Sequence, residues 1–89
     1  MSDEIKEIVD HYGEAVQIAV CQEEMNELGV ELSKYVRGQG NREAIIEEMA
    51  DVYITLAEQR YIHHINLNEV LLKMEEKLER MKERMHESV

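Results

Sequence analysis

Not one proline interrupts the 89 residues of this chain, and glycine occurs only four times. A β-sandwich or barrel needs turn residues about every 8–12 positions, and a collagen or linker needs proline and glycine throughout. An apolar fraction of 44% is too high for a disordered chain. With nothing to end them early, long α-helices are what remains. The length suits one small domain, 1–89.

Two polar interruptions divide the chain. Gly38-Gln39-Gly40-Asn41 reads as a turn, with Asn41 placed to N-cap the next helix. His63-His64-Ile65-Asn66 is the second, with Asn66 and Glu69 in a capping-box arrangement. A softer break sits at Gly13. These signals predict a short helix near 3–11 and long helices near 14–37, 42–62 and 67–86.

Apolar residues recur at helical spacing. Ile18, Cys21, Met25, Leu28, Leu32 and Tyr35 form one seam, and Leu71, Met74, Leu78, Met81 and Met85 another. Such seams pack in antiparallel bundles when connections are short. In the third long segment Ile45, Met49, Val52, Tyr53 and Leu56 form a stripe that Ile46, Ala50, Ile54, Ala57 and Tyr61 widen. The apolar arc spans roughly 200°, twice what one core-facing side requires. Its second side is expected against another copy of the chain, in a homodimer or a dimer of dimers. The fold class expected is therefore all-α, an antiparallel helical bundle completed by homo-oligomerisation.

Twenty acidic residues against ten basic give a formal charge of −10. Such a chain is repelled by nucleic-acid phosphates and by anionic membrane surfaces, so neither is an expected partner. Cys21 is the only cysteine, which excludes an intrachain disulfide and suits a reducing cytoplasm. Met1-Ser2-Asp3-Glu4 does not open a signal peptide, and no apolar run reaches the roughly 18 residues of a membrane helix.

Most of the acids call for no special reading. Chance predicts about four acid pairs three residues apart at this composition. Five occur: Glu4/Glu7, Glu7/Asp10, Glu24/Glu27, Glu48/Asp51 and Glu76/Glu79. Location separates them. Glu24/Glu27 and Glu48/Asp51 sit mid-helix, beside the apolar seams of two segments expected to pack antiparallel. Residues three apart share a face, so four carboxylates converge if those flanks meet. Unpaired, they would repel one another, and a bound hard cation would relieve that. An oxygen-only ligand set favours magnesium, manganese or calcium over zinc or copper. The competing reading is four solvated or salt-bridged flank residues.

The stretch Glu23-Glu24-Met25-Asn26-Glu27-Leu28, followed by Glu48-Met49-Ala50-Asp51-Val52, resembles the E-x-x-E, spacer, E-x-x-D signature of the MazG-like nucleotide pyrophosphohydrolases. The resemblance runs from about Gly13 to Arg84. Gln17 falls where the family often has Gln, and Lys34 with Arg37-Gly38 looks like its basic helix end. Ile65-Asn66-Leu67 with Glu69-Val70 is similar to its last-helix entry. That resemblance implies an all-α fold with Glu24, Glu27, Glu48 and Asp51 as magnesium ligands, manganese being a possible substitute. It also implies hydrolysis of nucleoside triphosphates to a monophosphate and pyrophosphate, with Glu24 or Glu27 acting on the water, as nucleotide-pool housecleaning. Lys73, Lys77 and Arg80 share a helix face and would contact phosphate or sugar, although Lys77 stands where the family often has Asn. Lys34, Arg37 and Gln17 complete the substrate-binding set. Tyr12 or Tyr53 would stack on the base, unless Tyr53 packs in the core.

Other motifs carry less. Glu83-x-x-His86 has di-iron spacing but lacks the further pairs such a site needs. His63 and His64 read as loop histidines, Cys21 and the methionines as core, and Glu23 as solvated or as a group just outside the ligand set. The rival function is a non-catalytic acidic helical protein-interaction module.

Overall fold

Helices begin and end where the local chemistry directs. The computed structural model of the chain describes residues 2–87 as four helices: α1 Ser2–Tyr12, α2 Glu14–Val36, α3 Arg42–His63 and α4 Leu67–Glu87. Gly13 alone separates α1 from α2, at φ 96°, a left-handed conformation that only glycine adopts at little cost. Asn41 Oδ1 accepts from the backbone N–H groups of Glu43 (2.9 Å) and Ala44 (3.3 Å), so α3 has the expected N-cap. It ends on His64 in the left-handed region, where the Ile65 N–H donates to Arg60 O at 2.9 Å, a Schellman closure. Asn66 then opens α4 with the expected capping box. Its side chain accepts from the Asn68 N–H (2.8 Å), and the Glu69 carboxylate accepts from the Asn66 backbone N–H (2.7 Å).

α2 and α3 pack as an antiparallel pair, and α1 packs across both, tied to α3 by the Tyr61 hydroxyl donating to Asp10 Oδ1 at 2.9 Å. Among the described residues the buried apolar side chains are Val9, Cys21, Val52 and Ile62, and they share the interior with Gln17, Thr55 and Glu58. No residue of α4 is buried, and it forms no extensive contact with the other three helices. No described helix is long and apolar enough to cross a membrane.

The expected seams are turned only partly inward: Cys21 and Val52 are buried and Ile18, Leu28 and Ile45 half-buried. Met25, Leu32 and Tyr35 of α2 and Met49, Tyr53 and Leu56 of α3 are exposed, Tyr53 to 67%. At about 100° per residue, the α2 interface is centred on Gln17, Cys21, Glu24 and Leu28, some 50° from the apolar seam. Polar pairs run between α2 and α3 beside the buried Cys21 and Val52, and the rest of each apolar stripe looks outward.

Candidate metal centre

The register between α2 and α3 builds the site. A step forward on α2 is a step back on α3, so Gln17 meets Glu58 and the Glu24/Glu27 pair meets Glu48/Asp51. One oxygen from each of Glu24, Glu27 and Glu48 lies within 4.8 Å of the other two. Glu24 and Glu48 are half-buried, while Glu27 is exposed and forms the open side. Asp51 is exposed at the edge of the triad, beside Glu24.

Electrostatically this is an unrelieved cluster. Burial, then the charges of Glu27 and Asp51, push the Glu24 carboxyl from 4.5 up to about 7. Burial and the neighbouring Glu27 raise Glu48 in the same way. The charged groups that act most on either residue are other carboxylates. Glu24 Oε2 and Glu48 Oε2 are buried without a hydrogen-bond partner among the described residues. Buried carboxylate oxygens are normally satisfied, so these two orphans fit the ligands of a cation better than groups of a solvated surface. Three carboxylates and no nitrogen or sulfur donor match a hard divalent ion such as magnesium. The fit is one of donor chemistry and orphaned oxygens.

The other expected site residues are spread over the chain. Gln17 is buried, and its Nε2 donates to both Glu58 oxygens, at 3.0 and 2.9 Å, while its carbonyl accepts from Gln59 Nε2 at 3.3 Å. Its amide nitrogen is thus engaged inside the helix pair. Lys34 is ion-paired with Glu31 at 3.3 Å, and Arg37 is exposed at the C-cap of α2. Lys73 pairs with Glu76 at 2.8 Å, and Lys77 and Arg80 lie with Arg84 along α4. One chain brings none of the α4 cations to the carboxylates.

Sequence reasoning passed over Glu58, 2% exposed and among the largest fully buried side chains of the described residues. The signal was present. Asp51, Thr55 and Glu58 step by four and three, as do Gln17, Cys21 and Glu24, so the acid-bearing faces extend two turns along both helices.

Together these features define a class: an all-α protein with a carboxylate cluster held between two antiparallel helices. Comparison with protein-family models, with curated proteins and with solved structures gives no match.

Proposed function

We propose that this chain is a magnesium-dependent nucleoside triphosphate pyrophosphohydrolase of the MazG-like kind, producing a nucleoside monophosphate and pyrophosphate in the cytoplasm. The observation that carries the reading is the convergence of Glu24, Glu27 and Glu48, with two buried oxygens that have no hydrogen-bond partner among the described residues. Glu24, Glu27 and Glu48 would hold the ion, with Asp51 at the edge, and manganese is a fitting substitute. When bound, the ion supplies charge neutralisation for phosphate oxygens and activation of water. It also accounts for how a chain of charge −10 takes a polyanionic substrate.

The protein's own part is to hold the acids in register. The Gln17–Glu58 contact fixes the helix pair two turns from the cluster, so Gln17 acts as a positioning residue in this reading. Glu27, the exposed member, faces the side open to water and substrate. Lys73, Lys77 and Arg80 are the phosphate-binding candidates, and they reach the carboxylates only if α4 meets them from another chain.

The test is pyrophosphate release from the eight common ribo- and deoxynucleoside triphosphates, with magnesium and with chelator. Magnesium-dependent release that Glu48→Gln abolishes, in folded protein, supports the reading. Release that persists in Glu48→Gln refutes the ligand assignment. Silence across the panel, with no magnesium effect on thermal stability, favours the interaction module, a reading that the exposed apolar surface also suits.

A further inference from the structure

Acids outnumber bases by twenty to ten in this chain, yet one cavity has cations and no carboxylate in its wall. It lies between α1 and the C-terminal end of α3 and has a volume of about 280 Å³. Lys6 of α1 and Arg60 of α3 supply the charge, and Ile5, Ala57 and Ile65 supply an apolar lining.

Helical stepping keeps the acids out. On α1, Ser2, Ile5, Lys6 and Val9 share one side, while Asp3, Glu4 and Glu7 fall on the other. On α3, Ala57, Arg60 and Tyr61 lie within about 100° of one another, turned about 130° from the Asp51, Thr55 and Glu58 side that meets α2. Two acids gather at the tip of Tyr61: Asp10 accepts from its hydroxyl at 2.9 Å, and Glu14 acts on the same group. Neither lines the cavity.

The two cations have no anionic partner among the described residues. Lys6 Nζ stands 5.9 Å from the centroid of the Tyr61 ring, within cation–π range. Arg60 is half-buried, a position arginine rarely takes unpaired. The helix ends do not supply the missing charge. The positive end of α1 at Ser2 and the negative end of α3 border the same cavity, so their partial charges offset one another. A guanidinium and an ammonium on opposite walls make a two-point clamp for a carboxylate or a phosphate. The volume is at the small end of ligand sites, and the apolar lining gives nothing to a hydrated inorganic ion.

We propose that this cavity binds a small organic anion, a carboxylate or a phosphate monoester on a compact apolar body. Lys6 and Arg60 hold the anionic group, and Ile5, Ala57 and Ile65 cover the body. The site is separate from the carboxylate cluster: Arg60 lies twelve residues beyond Glu48, about 18 Å along α3. Occupancy ties α1 to α3 across the turn at Gly13.

The test titrates isotope-labelled full chain with phenyl phosphate, benzoate, neutral benzamide and inorganic phosphate, and follows backbone amide resonances. Chelator is present and nucleotide absent, so the outcome is separate from that of the enzymatic reading. Phenyl phosphate or benzoate is expected to shift the Ile5, Ala57, Arg60 and Ile65 amides saturably, and the tighter of the two tells phosphate from carboxylate. Benzamide and inorganic phosphate should bind at least about tenfold more weakly, a difference of about 1.4 kcal/mol. Lys6→Gln and Arg60→Gln should each weaken binding by about tenfold or more. Arg42→Gln, which removes the same charge from an exposed site elsewhere, should not. If Arg60→Gln disturbs the fold, Lys6→Gln at its exposed position decides. Absence of saturable shifts with both organic anions overturns the proposal. So does benzamide or inorganic phosphate binding as tightly, a shift confined to α4, or equal losses in Arg42→Gln and Lys6→Gln.

Discussion

Glu24→Gln is expected to make the metal-free protein more stable and the magnesium-bound protein less so. The substitution keeps the side chain's shape and removes its charge. In the folded chain the Glu24 carboxyl titrates near 7 instead of 4.5, because burial strips its water and because Glu27 and Asp51 stand beside it. A group whose pKa rises on folding binds its proton more tightly in the native state. For a carboxyl this means that stability falls as pH climbs from 4.5 to about 7, then levels off. The whole shift would be worth about 3 kcal/mol at 1.36 kcal/mol per unit. Solvent access to the site screens it to roughly 1 kcal/mol. At about pH 8 in chelator the variant should therefore melt about 4–8 °C above the parent, and at about pH 5 the two should nearly coincide. Excess magnesium should reverse the order at the higher pH, because the variant would lack one of the proposed ligands. Calorimetric melts at one protein concentration, at both pH values and with or without magnesium, make the measurement. A variant less stable than its parent in chelator at about pH 8 would refute the account of Glu24 as a strained, unpaired carboxylate.

Magnesium should raise the melting temperature of the parent protein and leave Glu48→Gln unmoved, which differential scanning fluorimetry reads directly. Gln17→Ala leaves the Glu58 carboxylate buried without its donor, at an expected cost of about 1–3 kcal/mol in urea denaturation. Asn41→Ala removes the α3 cap and should cost about 1 kcal/mol by the same assay. Gly40→Ala drives a methyl into the Tyr35 backbone, so the α2–α3 turn must shift. Its signature should be lost helicity by circular dichroism, whereas an alanine at open Gly29 is expected to keep or increase it.

Helix boundaries were legible in the sequence because each is written in local chemistry. Asn41 caps α3, Asn66 with Glu69 boxes α4, and Gly13 turns the chain; all act within four residues and ask nothing of distant partners. The acid pairs were legible for the same reason, since spacing alone puts Glu24 with Glu27. Which side of each helix meets its neighbour was not. Periodicity marks where apolar residues gather, and that direction was taken for the α2–α3 interface. The interface instead runs along Gln17, Cys21 and Glu24 against Asp51, Thr55 and Glu58, because the apolar direction is left for other surfaces. Glu58 escaped notice on that account: a lone acid on a helix reads as surface until its face is known. The α4 cations are on one face, as expected, but spacing within a helix says nothing about which helix that face meets.

Small side chains sit between the polar pairs, with Cys21 midway from Gln17 to Glu24 and Thr55 midway from Glu58 to Asp51, both buried. They work as a gauge, because the bulk at such positions sets how closely two helix axes approach. A carboxylate cage strung between the helices inherits that spacing. Magnesium wants oxygens at about 2.0–2.1 Å and calcium at about 2.3–2.6 Å, a difference smaller than one methyl group. A bulkier residue at Cys21 would thus retune which ion the cage prefers while every acid stays in place. In the proposed metal site, ion choice would be set by the girth of a side chain that never touches the ion.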